Sequence, residues 1–477
     1  MSFLREISPM VRSIHLPGQE VLMSRAARIR TELRQGIKKD FMELIDLSSS
    51  DIHSRGIKPI SFLRQVMAAC CYPSLLHSDR IPADARERAR SLLTDSNGGS
   101  IGSYPPTGGM AKVRRSVSDF ITRRDGGVPS IPEHIFLTTG SQQALTIFLK
   151  LLVSGEGPLR TGVLVPVPSY STFSMALANQ GGVMVPYYLC EEQGWALEME
   201  ELQRALQAAR GHCNPMALYV INPGNPSGLV QSRKSIEEVI RFAAQERLFL
   251  LVDEVYQETI HGEDTEFVSY KRVLFEMGSP YSSTVELASF HSVSKGTFGE
   301  YGMRGGYVEL VNLDPKVMEH ALTFFNRDGS GTVMGQIALD ILADPPQLGD
   351  PSYPLYSQEV QSIKNTLLSN VRRVHSVLNG VPGMSCQPIR GGLYAFVQLH
   401  LPQRVIEQAK EAGVEPDMMY CQRLLNEAGL CVVPGCECGQ REGSYHIRFC
   451  IGVQEEIMEE VLQRLKSFHS HFMREFS

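Results

Sequence analysis

A surplus of basic charge is the first thing this chain lacks. Its 46 lysines and arginines are outnumbered by 52 aspartates and glutamates, so the net charge of -6 offers no basic field to a nucleic acid. No apolar run reaches the length that crosses a bilayer, and the opening MSFLREISPM has Arg5 and Glu6 where a secretory signal needs an apolar core. The chain is therefore expected to be soluble and cytoplasmic, with no membrane partner. The ten cysteines form no framework. They are scattered, as at Cys70, Cys71, Cys190, Cys213 and Cys450, which suits reduced thiols. Cys436 and Cys438 make a lone Cys-x-Cys with no second pair at zinc-finger spacing, so no metal site is expected. Repeats, low-complexity tracts and a helix-turn-helix arm are also missing, and without such an arm a ligand-sensing regulator is disfavoured.

What the chain does have is length and alternating periodicity. At 477 residues it exceeds what one hydrophobic core organises, and two domains are expected. Val21, Leu22, Ala26, Ile29 and Leu33 predict an amphipathic helix ending at Gly36. A polar loop over 47–56 leads to a second helix at about 61–69. From His134 to Val311, apolar strands alternate with helices such as Met199 to Ala209 and Ser235 to Gln245. The strands are expected at 134–140, 162–167, 183–189, 217–221, 248–252, 285–290 and 306–311. Continuous apolar strands with intervening helices argue an α/β class with a mainly parallel sheet covered on both faces. Ligands of such sheets sit at the carboxyl ends of strands, and Ser141, Tyr170, Asn225, Asp253 and Lys295 all follow strands.

The segment 344–354, DPPQLGDPSYP, reads as a linker. Beyond it, a helix at about 357–378, strands at 391–399, 429–433 and 445–451, and a helix at 455–472 make a smaller α+β unit. The expected division is an N-terminal arm with part of the small domain over 1–80, a large domain over 81–343, and a small domain over 344–477.

Several residues in this frame carry chemistry. Lys295 lies in SVSKGTFGEYGMRGGY on a turn of small residues after a strand, where its amine can reach a ligand and form a Schiff base with an aldehyde. A solvated surface lysine is the plain alternative. The backbone amides of Ser141 and Gln142 open a helix and suit a phosphate, although an ordinary N-cap serine fits equally. Asp253, in DEVY, is either a buried partner for a cationic ring or a helix cap. Tyr104, in SYPPTGG, reads as a turn tyrosine.

Read together, SVSKGTFGEYGMRGGY, the NPGNPSG of residues 222–228 and DEVY resemble the fold-type-I pyridoxal-phosphate enzymes, within them the alanine aminotransferase branch. The resemblance runs from the ELRQG at 32–36 to the GQREGSYHIR at 439–448. It implies a fold-type-I transferase and pyridoxal phosphate as cofactor, with Lys295 the Schiff-base lysine and proton carrier. Asp253 would keep the ring nitrogen charged, and Tyr256 and Asn225 would donate to the phenolate oxygen. Tyr170 would stack on the ring; Ser141, Gln142, Ser292 and Arg304 would hold the phosphate. Tyr104 would reach across a homodimer interface to the same phosphate. Arg448 would clamp the substrate α-carboxylate, a surface ion pair being its alternative. The implied reaction is ping-pong transamination between an α-amino acid and a 2-oxo acid, alanine-like with 2-oxoglutarate.

Three substrate-side loops depart from the resembled pattern. Ser50 stands before Asp51 where a glycine is usual. Gly435-Cys436-Glu437-Cys438 replaces a glycine-serine-glycine-phenylalanine-like run, which would bring a carboxylate to the pocket. NRDGSGTVMGQ, from Asn326, replaces a cysteine-proline-proline segment, and Gly329 to Gly331 would open room. These changes leave an alternative open: a relative that performs γ-elimination, substitution or carbon-carbon bond formation on an S-adenosylmethionine-like amino acid.

Overall fold

The computed structural model describes residues 18–262, 264–327 and 330–477. Its strands in chain order are β1 (Ile45–Asp46), β2 (Ile135–Thr138), β3 (Thr161–Val167), β4 (Val183–Tyr188), β5 (Asn214–Ile221), β6 (Phe249–Asp253), β7 (Leu287–Ser292) and β8 (Gly306–Val311). They continue with β9 (Met384–Cys386), β10 (Tyr394–Leu399), β11 (Leu430–Cys431), β12 (Val433–Pro434) and β13 (His446–Cys450).

Seven of them form one sheet in the order β2-β8-β7-β6-β5-β3-β4. All run parallel except β8, which is antiparallel to both neighbours, β2 and β7. An apolar run carries no sign of its direction, so this reversal had no signature in the sequence. Both faces are covered. Along β5, Ala217, Tyr219 and Ile221 pack into one core with Phe148 and Phe173, while Leu218 and Val220 face another with Leu206 and Ile240. This two-residue alternation between two apolar layers is why the strand reads as continuously apolar.

The second sheet has four antiparallel strands, β12-β13-β10-β9. β1 pairs in parallel with β11, which brings the segment after residue 46 beside this sheet. The helix Gly18–Arg34 buries Leu22, Ala26 and Ile29 in the same core as Val371, Leu424 and Met458. The long helix Tyr353–Leu378 serves both cores: Ile363 and Leu367 pack with the helices around Val66 and Leu92, while Val374 and Leu378 pack with Phe449 and Leu465. It starts earlier than the linker reading allows, because Pro354 lies in its first turn, where no N–H is needed. The three-residue β9 gave too short a pattern to be expected. Among the described residues no helix is long and apolar enough to cross a membrane.

Candidate active site

Because β2, β3, β5, β6 and β7 point the same way, their carboxyl ends share one edge. Asp253 is the last residue of β6 and Ser292 the last of β7, with Lys295 three positions on. Tyr170 precedes the helix Ser171–Asn179, and Ser141 opens the helix Ser141–Leu152. Between β2 and that helix, Gly140 has φ +89° and ψ 160°, a conformation for which glycine is required. A Cβ on Gly306 would lie 2.5 Å from the Ser141 nitrogen, so the glycine pair after Arg304 lets β8 press against this turn. Arg304 itself has φ +54° and donates from Nη2 to the Thr139 carbonyl at 3.0 Å. The result is a cradle of helix N-terminal amides, a guanidinium and the Ser292 hydroxyl, suited to a phosphate. Gln142 Oε1 is buried beside it with no partner among the described residues.

Next to the cradle lies a buried acid and base. Asp253 Oδ2 accepts from the Tyr219 hydroxyl at 3.1 Å and Oδ1 from the Val255 amide at 3.3 Å. Burial pushes its pKa up to about 6, against the opposing effect of those bonds and of Lys295. Tyr219 is fixed in turn by Phe173, stacked at 3.7 Å. Lys295 Nζ donates to Ser50 Oγ at 2.8 Å and to the Tyr301 hydroxyl, and Tyr394 donates to Ser50 Oγ at 2.9 Å. Burial draws the Lys295 pKa down to about 7, with the Arg448 charge adding to the fall. The Tyr256 hydroxyl, buried nearby, has no partner among the described residues. Its ring centre is 5.4 Å from the Lys295 nitrogen.

Arg448 stands on β13 between Phe396 of β10 and Val433 of β12. Its Nη1 reaches Asn225 Oδ1 at 3.4 Å, its Nη2 donates to the Ser48 carbonyl at 3.1 Å, and its guanidinium lies 4.3 Å over the Tyr394 ring. Nε is buried with no partner among the described residues. The loop it touches is held from behind: Arg55 Nη1 donates to the Ser49 carbonyl at 2.8 Å, and the Cys450 amide to the Leu47 carbonyl at 2.9 Å. Ser50, Asn225, Asp253, Tyr256, Lys295 and Arg448 thus gather into one cluster at this edge of the sheet, and the charges of Asp253, Arg448 and Arg304 all act on the Tyr170 phenol.

The sequence model of the family described as aminotransferase class I and II matches residues 72–465. This chain belongs to that family. It is 47% identical to alanine aminotransferase 1 of Homo sapiens over 471 residues, covering 99% of this chain and 95% of that protein. It is 46% identical to alanine aminotransferase 2 of Xenopus laevis over 474 residues, covering 99% and 88%. Among solved structures, an alanine aminotransferase from Pyrococcus furiosus superposes with a TM-score of 0.76 at 19% identity, covering 98% of this chain and all of that one, which supports the shared fold. The chain is a fold-type-I, pyridoxal-phosphate-dependent aminotransferase.

The pocket fits that cofactor on its own terms. The free Tyr256 hydroxyl is a donor in need of an acceptor, the buried Asp253 carboxyl is short of a cation, and the Lys295 amine is about half unprotonated at pH 7. A pyridine nitrogen, a phenolate oxygen and an aldehyde meet those three needs, and the cradle at Ser141 and Arg304 suits the phosphate.

Two expectations about the substrate side of this aminotransferase need correction. Glu437 is not a free carboxylate facing substrate: its Oε1 accepts from the Gly18 amide at 2.5 Å and the carboxylate also takes the Gln19 amide, so it caps the helix Gly18–Arg34. The open N–H groups and the positive end of that helix hold the carboxylate, and the Arg448 charge also acts on it. Glu437→Gln is therefore expected to lower stability by about 1 kcal/mol in chemical denaturation, with amino-donor preference unchanged. Gly331 opens no room either, because a Cβ there would lie 2.7 Å from the Thr138 carbonyl oxygen and its amide donates to Leu137. Gly329 lies outside the described residues. Tyr104 stands apart from the pocket, 93% exposed, with its backbone carbonyl bonded to Asn97.

The sequence reading missed Tyr301, Tyr394, Tyr219, Ser48 and Arg55. Tyr301 had one available signal, its place in the same glycine-rich stretch as Lys295. Ser48 and Arg55 lie in the polar loop over 47–56 that also holds Ser50, while Tyr219 and Tyr394 come from distant strands whose convergence no local spacing announces.

Proposed function

We propose that this aminotransferase moves the amino group of a small α-amino acid, alanine in the first instance, to a 2-oxo acid such as 2-oxoglutarate. The observation that carries the proposal is the buried arginine Arg448, with an unsatisfied N–H, in one pocket with the Lys295 amine. Both substrates of a transamination carry a carboxylate beside the reacting carbon, and a guanidinium can bind it through two oxygens. Bound pyridoxal phosphate supplies an aldehyde that takes up the amino group and a ring that accepts electrons from the α-carbon.

The chain's residues do the rest. Arg448 and Asn225 hold the carboxylate end of the substrate, which fixes the α-carbon's orientation. Lys295 Nζ takes the α-proton and would give it back at the carbon that enters as the cofactor's aldehyde, and a pKa near 7 makes the amine competent in both directions at neutral pH. Asp253 offers its carboxylate to the ring nitrogen, Tyr256 its hydroxyl to the phenolate oxygen, and Ser141, Gln142, Ser292 and Arg304 their donors to the phosphate. The extreme exposure of Tyr104 suits a side chain that completes the partner's phosphate site in a homodimer. Ten unpaired thiols suit a cytoplasmic location.

The test is to mix purified holoenzyme with L-alanine and 2-oxoglutarate and measure pyruvate and glutamate. Equimolar formation, with parallel double-reciprocal lines, is expected. Absence of any 2-oxo acid product from alanine, glutamate and a panel of other amino acids would overturn the proposal.

A further inference from the structure

Hydroxyls from three separate parts of the chain meet at the Lys295 amine. Ser50 comes from the loop after β1, Tyr301 from the turn between β7 and β8, and Tyr394 from the start of β10. Lys295 Nζ donates to Ser50 Oγ at 2.8 Å and to the Tyr301 hydroxyl; Ser50 and Tyr301 are hydrogen-bonded to each other, and Tyr394 donates to Ser50 at 2.9 Å. The Tyr301 ring also lies under the amine, its centre 4.3 Å from Nζ.

A tetrahedral amine has four directions. One is the bond to its own carbon, and one N–H points at the Ser50 and Tyr301 oxygens, which lie side by side and share it. Rotation about Cε–Nζ is thereby set, and with it the other two directions, one of which can carry a lone pair or a further N–H. With a lone pair there, Nζ can take the proton from a substrate C–H, the bonding electrons staying on carbon. With an N–H there, it gives that proton back. A hydroxyl can serve as the anchor in both states because it accepts without carrying charge. A carboxylate in the same place would hold the amine as an ammonium and weaken it as a base.

From this geometry we infer that Tyr301, braced by Ser50 and Tyr394, is a positioning residue that aims the Lys295 amine during proton transfer. This rests on the transamination reading of the site. Tyr301 and Ser50 fix the direction of the amine, while burial first, and then Cys450, Arg448, Asp253 and Arg304, the other titratable or charged groups that act on it, set its charge. With one anchor removed, the amine turns about its Cε–Nζ bond and spends less of its time aimed at the α-carbon.

The test uses Tyr301→Phe, which keeps the ring and removes the hydroxyl. In the holoenzyme kcat is expected to fall by about 10- to 100-fold while KM for both substrates stays within about threefold. The primary isotope effect with α-deuterated amino acid is expected to grow. A second readout needs no cofactor: reductive methylation of Lys295 in the cofactor-free protein, followed by peptide mass spectrometry across pH. Its midpoint, near 7 in the parent chain, is expected to move lower because the ammonium has lost an acceptor.

Should Tyr301→Phe fail to fold, Ser50→Ala removes the other anchor and is expected to act in the same direction on both readouts. A kcat within twofold, an unchanged isotope effect and an unmoved midpoint in a folded variant would overturn the inference. If the parent enzyme transaminates nothing, the functional proposal fails by itself, and the methylation midpoint still decides whether the hydroxyls hold the amine.

Discussion

Lys295→Ala is expected to lower the rate of the first half-reaction by at least about ten-thousand-fold, because one side chain both meets the cofactor's aldehyde and carries the α-proton. The variant is nonetheless expected to fold and to bind pyridoxal phosphate. The cradle at Gly140, Ser141, Ser292 and Arg304 is built from backbone turns and side chains that do not depend on the amine. Single-turnover mixing with alanine, followed by absorbance, separates the two effects. The expected result is bound cofactor that is not converted; conversion at the parent rate would remove Lys295 from the proposed mechanism. Adding a small primary amine is expected to restore part of the rate, as it replaces the lost base without the tether.

Asp253→Asn is expected to act in opposite directions on activity and on the stability of the cofactor-free protein. Activity should fall by about a thousand-fold, since an amide cannot hold the ring nitrogen as a cation and the ring becomes a poorer electron acceptor. Stability depends on the raised pKa. A carboxyl that titrates at about 6 folded and near 3.8 unfolded binds its proton more tightly in the folded state. The folded protein is therefore favoured below pH 3.8 as far as this group is concerned, and that advantage is lost as pH rises through about 6. The full loss is about 3 kcal/mol. Asparagine avoids it. The cofactor-free variant should thus melt higher than the parent at pH 8 and not at pH 4, as measured by thermal denaturation at each pH. A variant that melts lower at pH 8 would show that Asp253 is already paired as a carboxylate without the cofactor.

How much of this was legible beforehand differs from element to element. The helices Ser141–Leu152 and Met199–Ala209 have the bounds their apolar spacing implies, because each is amphipathic and bounded by residues that end it. Strand positions were readable too, since β3, β6, β7 and β8 are buried along their whole length. Strand direction was not, and β8 shows why: a buried strand has the same composition whichever way it runs.

The candidate site divides along the same line. Lys295, Asp253 and Asn225 lie in short motifs whose order survives in the sequence, and their position after strands places them at one edge of the sheet. Glu437 was misread because the residue that claims it, Gly18, lies 419 positions away. Tyr394, which reaches Ser50 across 344 positions, was invisible for the same reason. Pairings of this kind join the N-terminal segment to the unit built on the second sheet, and only the tertiary structure reports them.

The most direct test of the whole account is to incubate the purified protein with pyridoxal phosphate, reduce it with borohydride and map the modified peptide by mass spectrometry. The account predicts a single pyridoxyl group on Lys295, in the peptide containing Ser292 and Ser294, with the violet absorbance of about one cofactor per chain lost on reduction. Modification at a different lysine, or no modification in protein shown to be folded, would contradict it.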